Sequence, residues 1–367
     1  MSIELKKVTK KFGNVTAVNQ VTFSVKEGEL MALLGPSGGG KTTVLRMIAG
    51  LEMPTAGDVF IRGQRVNNLS VQQRNIGFVF QNYALFKHMN VFKNIAFGLK
   101  IKKWKRAEME ARIAELVKLF GLEGLESRYP HQLSGGQRQR VAIARALAPK
   151  PNVLLLDEPF GAVDAKIRQE LREWLVTLHH ELNVTTIFVT HDQEEALEVA
   201  NRIVIFSRGL LEQVGTPREV YEQPANEFVA RFIGAMNVLE ADVRRGVARL
   251  AELEFPPHGL ADGQKLRIGF RPYAVQISSD LTQYRYRAVL RHTFFLDVLL
   301  RMELELPSGL TIRARMTKEE YAHQGLENGK AVSFQIRQYR VLAGEAGNLS
   351  SETEFKYQAP PSLGENI

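Results

Sequence analysis

Two stretches of this 367-residue chain join glycine and serine to the start of a helix, a combination that can seat a phosphate on free backbone N–H groups and the positive end of a helix dipole. The first is GPSGGGKTT, residues 35–43. Gly35, Pro36, Ser37, Gly38, Gly39, Gly40, Lys41 and Thr42 satisfy the spacing G-x-x-x-x-G-K-[ST]. The apolar run MALLG precedes it and the helical stretch KTTVLRMIAGLE, with Thr43 in its first turn, follows it. That strand-to-helix context makes it a phosphate loop: the glycines wrap the backbone around phosphates, Lys41 neutralises the β- and γ-phosphate charge, and the Thr42 hydroxyl serves Mg²⁺. The second stretch is LSGGQRQRVAIARALA, residues 133–148. Ser134, Gly135, Gly136 and Gln137 open a helix there without a lysine of their own. A chain that already has one phosphate seat therefore carries a second, incomplete one.

The partner of the first seat is VLLLDEP, in which four apolar residues bury a strand and Asp157 and Glu158 emerge at its carboxyl end, where open α/β sheets bind ligands. Asp157 is placed to hold Mg²⁺, commonly through water. Glu158 is placed to orient or deprotonate an attacking water; taken alone, the acidic pair would equally cap the next helix. Gln81 closes the strand-like GFVFQ and His191 closes TIFVTH, both at the same edge of the inferred sheet. Gln81 fits a contact to the metal or the water, and His191 a hydrogen bond to the γ-phosphate. Phe12, in KKFGN, is an aromatic among lysines that either packs locally or stacks on a base.

The bulk numbers narrow the class. The length allows about two domains. Cysteine is absent, which excludes disulfides and Cys-ligated zinc or iron–sulfur sites. The beginning, MSIELKKVTKKFG, lacks the apolar segment of a secretory signal, and no apolar run reaches the roughly 18–20 residues of a membrane span. The expectation is a soluble or peripheral protein whose membrane role, if any, runs through a partner. The net charge of +8 permits an anionic surface as partner, but its only dense basic tract, KIKKWKR, residues 100–106, reads as a solvated helix entrance or a headgroup or partner contact.

Runs at 31–35, 76–81, 152–158 and 185–192, separated by helical stretches, predict a parallel sheet covered on both faces. Met109, Ile113, Leu116, Val117 and Phe120 share one helical face and read as core. Pro130 breaks the pattern before LSGGQ. After about residue 235, LRIGFR, YRYRAVLRH, GLTIRARM and AVSFQIRQYRVL alternate with period 2, the pattern of a small β-barrel or sandwich. The polar end reads as disordered.

Taken in order, GPSGGGKT, Gln81, LSGGQ, VLLLDE, GAVD (residues 161–164) and His191 resemble the ATPase subunits of ABC transporters over residues 1–235. The specific element is LSGGQ ahead of VLLLDEP. The resemblance implies an α/β phosphate-loop ATPase domain over 1–235 with a helical subdomain at about 85–150. A small all-β, OB-like barrel of the TOBE kind over 236–345 and a polar tail over 346–367 follow. It implies ATP and Mg²⁺ as cofactors and a homodimer packed head to tail, in which Ser134, Gly135, Gly136 and Gln137 of one copy seat the γ-phosphate of the ATP held by the other. On this pattern Phe12 is the adenine-stacking aromatic, Glu158 the catalytic carboxylate, and Asp164 the residue joining the two sites across the interface. Gly39 stands where serine is frequent and Val163 where leucine is usual.

The β-region, with FRPYAVQI resembling a characteristic Arg-Pro segment, looks like the importer group that serves sugars, polyamines, iron and oxyanions; Tyr273 stands there in place of a frequent acid. GFVFQNYALFKHMNVFKNIAFGL and LDEPFGAVDAKIRQELREWL look closest to sulfate/thiosulfate import ATPases. The implied partners are integral membrane permease subunits and, indirectly, a solute-binding protein, with the chain peripheral on the cytoplasmic face of the membrane. Another cargo of the same group remains open. A soluble ABC-type ATPase acting on nucleic acid would bring long coiled coils or a second ATPase domain, neither of which the chain shows, so no nucleic acid is expected.

Overall fold

The computed structural model describes residues 1–161, 164–256 and 262–342 and the backbone of Glu354–Lys356. Val163 and the rest of the polar tail lie outside the described residues. The chain divides into two compact units, Met1–Gln223 and Pro224–Ile367.

In chain order the first unit runs β1 (Ile3–Phe12), β2 (Val15–Val25), β3 (Leu30–Leu34), α1 (Lys41–Ala49), β4 (Ala56–Ile61), β5 (Gln64–Arg65) and β6 (Ile76–Val79). It continues with α2 (Val91–Ile101), α3 (Arg106–Leu119), α4 (Gly135–Leu147), β7 (Val153–Asp157), α5 (Ala165–Leu182), β8 (Thr185–Thr190), α6 (Gln193–Val199), β9 (Arg202–Ser207), β10 (Leu210–Gly215) and α7 (Pro217–Glu222). The main sheet has the order β10-β9-β3-β8-β7-β6, parallel from β9 to β6. β3, β7 and β8 are buried at every residue, which is why they read as continuous apolar runs. A second, antiparallel sheet, β2-β1-β4-β5, packs into the same core through Leu5, Val8, Val21 and Val59. That sheet, like β9, was not anticipated from the sequence, because its strands carry lysines and threonines on the outward positions.

The register of the parallel strands positions everything that follows. Leu34 of β3 lies opposite Thr190 of β8, Val189 of β8 opposite Asp157 of β7, and Leu156 of β7 opposite Val79 of β6. Gly35, His191, Glu158 and the turn to Gln81 therefore begin side by side at the carboxyl edge. Between β6 and β7 the chain is helical. In α3, Ile113, Leu116 and Val117 are buried and Phe120, just beyond it, is fully so, while Met109 is half-buried.

The second unit contains α8 (Glu227–Phe232), β11 (Asn237–Arg244), β12 (Val247–Leu250), β13 (Leu253–Phe255), β14 (Lys265–Phe270), β15 (Val275–Ser278) and β16 (Tyr286–Leu296). After these come β17 (Leu299–Glu305), β18 (Thr311–Thr317), α9 (Lys318–Gln324), β19 (Ala331–Ile336), β20 (Gln338–Leu342) and β21 (Glu354–Lys356). The strands make two antiparallel sheets, β13-β12-β11-β14-β20-β21 and β15-β19-β16-β17-β18, around one core that includes Phe255, Phe270 and Phe334. β11 and β17 alternate a buried residue with a half-buried or exposed one, the period-2 pattern of the sequence. The polar tail contributes β21, paired with β20, where the composition suggested disorder. The Arg-Pro segment has a structural cause: Arg271, 4% exposed, donates to the carbonyls of Ile233 at 2.6 Å and Ala235 at 3.2 Å and so ties β14 to the segment after α8. Among the described residues no helix is long and apolar enough to cross a membrane.

Helix α1 is held at its far end by a buried guanidinium. Arg74, 4% exposed, donates to the carbonyls of Met47 at 2.7 Å and Ile48 at 2.8 Å, and to those of Asn67 and Leu69. The Met47 and Ile48 carbonyls lie in the last turn of α1, at the negative end of its dipole, and that of Met47 also accepts from the Gly50 N–H at 3.3 Å. Arg74→Met is expected to lower the unfolding free energy by about 2–4 kcal/mol in a urea titration of the full chain, because several buried carbonyls lose their donor together.

Candidate active site

The loop Gly35–Pro36–Ser37–Gly38–Gly39–Gly40 leads directly from β3 into α1. Gly40 is the N-cap of α1 with φ of 97°, and a Cβ there would sit 2.5 Å from the carbonyl oxygen of Ala17. Only glycine meets both demands. Having no side chain, Gly40 gives no cap, and the first-turn N–H groups of Lys41, Thr42 and Thr43 face the loop with the positive end of the helix dipole behind them. Lys41, 5% exposed, donates to the carbonyls of Gly35 and Pro36, each at 2.8 Å, so the cation lies beneath the loop. Burial pulls its pKa below the usual lysine range, opposed by the carboxylates of Glu158 and Asp157. Gly39, where serine is frequent, donates its N–H to the Pro36 carbonyl at 3.1 Å and accepts from Gly209, so the loop closes through its backbone without a hydroxyl.

Asp157 ends β7 and is 5% exposed. The Thr42 hydroxyl donates to its Oδ1 at 3.0 Å. Burial pushes the Asp157 carboxyl up, and the Thr42 hydrogen bond and the charges of Arg46 and Lys41 oppose the shift. The pair is a hard-oxygen donor set of the kind Mg²⁺ takes alongside phosphate oxygens and water, so the residues present fit that ion.

Glu158 follows with φ of 47°, a left-handed backbone unusual outside glycine, in which its N–H donates to the Val189 carbonyl at 3.2 Å. Its carboxylate is the centre of the site. Gln81 donates from Nε2 to Oε2 at 2.7 Å, and His191 Nδ1 lies 3.6 Å from Oε1. The structure thus brings together Lys41, Thr42, Asp157, Glu158, Gln81 and His191. β6 ends at Val79, so Gln81 stands two residues past the strand rather than closing it; β8 likewise ends at Thr190, one residue before His191. Gln81 is held in place from the far side. Tyr83 and Ala84 both have positive φ, and Arg145 of α4 donates to their carbonyls at 2.9 and 2.7 Å. Sequence reasoning missed Arg145, which is one basic residue among several on α4.

A second group lies apart. Ser134 caps α4 in a reciprocal box: its Oγ accepts from the N–H of Gln137 at 3.2 Å, and the Gln137 side-chain oxygen accepts from the N–H of Ser134 at 3.0 Å. Gly135 is the first residue of α4. A Cβ on Gly136 would stand 3.2 Å from Ile167 Cγ2, so glycine lets the first turn of α5 approach. Asp164 caps α5 by accepting from the N–H of Ile167 at 3.0 Å. Among the described residues no hydrogen bond joins Ser134, Gln137 or Asp164 to the phosphate loop. Phe12, at the end of β1, is 47% exposed, with Lys10 Nζ over its ring 4.8 Å from the centre.

The sequence profile of the ABC transporter family matches residues 18–161. The sulfate/thiosulfate import ATP-binding protein CysA of Synechocystis is 46% identical over 97% of this chain and 99% of its own length. The protein of the same name from Bordetella bronchiseptica is 49% identical over 94% and 99%. Among solved structures, the ATP-binding cassette MJ0796, as a post-hydrolysis dimer bound to ADP and Pi, is 37% identical with a TM-score of 0.53 over 59% of this chain and 99% of its own. cbiO1 from Clostridium perfringens, part of the ABC transporter complex cbiONQ, is 29% identical with a TM-score of 0.56 over 59% and 89%. With 46% and 49% identity to the two import ATP-binding proteins over nearly the whole chain, and a phosphate loop, a carboxylate pair and a helix-capping LSGGQ present, the chain belongs to the ABC transporter family, in its ATP-binding subunits.

Proposed function

We infer that this chain is the ATP-hydrolysing subunit of an importer that takes up sulfate and thiosulfate through membrane permease subunits. One observation carries the hydrolytic part: the Glu158 carboxylate accepts from Gln81 and faces His191, beside the hydrogen-bonded Thr42–Asp157 pair. The cargo rests on the names of the near-full-length relatives. On this reading Lys41 and the loop N–H groups bind the β- and γ-phosphates of the substrate ATP, and Phe12 offers its face to the adenine. Thr42 and Asp157, with Gln81 nearby, would hold Mg²⁺, which when bound neutralises phosphate charge. Glu158 accepts a proton from the attacking water, Gln81 fixes the carboxylate, and His191 donates to the γ-phosphate. Ser134, Gly135, Gly136 and Gln137 serve the ATP of a second copy, and Asp164 lies at that interface.

The same reading assigns ATP chemistry to residues 1–235 and regulation to the β-region, residues 236–345. It sets the chain on the cytoplasmic face of the membrane, fed indirectly by a solute-binding protein.

Three measurements test it. Glu158→Gln keeps the hydrogen bond to Gln81 but loses the base, so kcat for ATP hydrolysis should fall about 100-fold or more while ATP still binds and holds the chain as a dimer on size exclusion; turnover near the parent rate would remove Glu158 from its role. Ser134→Arg puts a bulky cation at the α4 cap, so equilibrium dialysis should show unchanged ATP binding to the monomer while hydrolysis is lost. Retained hydrolysis would rule out a role for this segment on the second copy's ATP. Labelled-sulfate uptake should disappear when the gene is deleted, return on complementation, and be blocked by excess thiosulfate. Uptake independent of the chain and of thiosulfate would reassign the cargo.

A further inference from the structure

Helix α5, which starts at Asp164, and helix α6, which starts just after His191, lie against each other, and their contact is charged. Arg168, one turn into α5, stands 3.8 Å from Asp192 Oδ2 and 3.9 Å from Glu195 Oε1. Arg172, one turn further on the same face, stands 3.2 Å from Glu198 Oε2. Glu195 is 5% exposed. Burial pushes its pKa up, helped by the charge of Asp192 and opposed first by the Thr190 hydrogen bond and then by the charges of Arg168 and Arg172.

The His191 peptide is enclosed in the same network. The Thr190 hydroxyl accepts from the N–H of Asp192 at 2.9 Å and donates to the Glu195 carboxylate. Asp192 Oδ1 accepts from the N–H groups of Glu194 and Glu195 and caps α6. His191 thus sits between two residues that are both bonded into the first turn of α6. The backbone at 191 is thereby coupled to α6, and α6 faces α5 through Arg168. The two Arg168 contacts are roughly 1 Å longer than a charge-assisted hydrogen bond, so they join the helices as ion pairs.

We propose that Arg168, with Asp192 and Glu195, is a positioning link between the Asp164 end of α5 and His191, through which contact of a second copy at Asp164 sets the place of His191 beside Glu158. The link rests on the dimeric ATPase reading above. It uses no residue that touches substrate. Arg168 acts on the reaction only through the polypeptide that carries His191, and the buried Glu195 keeps that polypeptide and the arginine in one charged unit.

The test uses the full-length chain, with Glu195→Gln, Arg168→Met and the double variant. Gln still accepts from Thr190, and Met keeps the stem of the arginine, so both remove charge with little change of shape. Each single variant should lower kcat for ATP hydrolysis about tenfold with the KM for ATP within about twofold, and the double variant should be no slower than the slower single one. Arg168→Lys should recover part of kcat. Melting temperatures should stay within about 5 °C of the parent, and rates are read well below them. Variants with parental kcat, or losses that simply add in the double variant, would overturn the link and leave the ATPase reading standing. A parent chain that hydrolyses no ATP would overturn both. If Glu195→Gln does not fold, Arg168→Met and Arg168→Lys, at a position whose side chain is 34% exposed, still decide by the split between kcat and KM.

Discussion

The in-register pairing of four parallel strands is the constraint on which the site depends. β3, β8, β7 and β6 are aligned so that Leu34, Thr190, Asp157 and Val79 end the sheet together. Successive residues of a strand point to opposite faces, so a slip of β7 by one residue would send Asp157 to the wrong face and break its hydrogen bond with Thr42. The apolar runs that bury these strands on both faces are what forbid the slip. Core packing and chemistry are thus one requirement at this edge, since the residues that exclude water are those that aim the carboxylates.

Electrostatics then sharpens what the register places. Lys41 and Asp157 are both 5% exposed, and burial drives them in opposite directions, the lysine down and the carboxyl up. Each is among the groups that oppose the other's shift, so each favours the charged form of the other. On the proposed reading a triphosphate adds negative charge beside a lysine cation and a helix N-terminus that the fold already holds in place. The left-handed backbone at Glu158 belongs to the same design: it turns the chain off β7 so that the carboxylate faces Gln81 and His191.

The LSGGQ helix resolves the incomplete second seat. Ser134 and Gln137 satisfy one another across the cap, which leaves α4 with a rigid, exposed start, and no hydrogen bond among the described residues ties that start to the chain's own phosphate loop. In the head-to-tail pairing proposed above, the lysine that this seat lacks comes from the phosphate loop of another copy. Asp164, capping α5 with Ile167 set against Gly136, lies on the same side of the molecule as that seat.

The family and the candidate chemistry were legible in the motifs of the chain. Lys41, Thr42, Asp157, Glu158, Gln81 and His191 were legible because each stands at a strand end or loop whose flanks are strongly patterned, and the period-2 alternation after residue 235 was legible because burial alternates along those strands. Tertiary structure decided which of these residues meet. The Glu158–Gln81 hydrogen bond spans 77 residues and the Thr42–Asp157 bond 115, separations over which no local pattern carries distance. It also revealed the supports: Arg74 beneath α1, Arg145 behind Gln81, and Arg168 facing Glu195. In the sequence these are ordinary charged residues on helices and loops. Their roles arise from burial and from the carbonyls or carboxylates that folding brings against them, and burial is a property of the whole chain that no short stretch encodes.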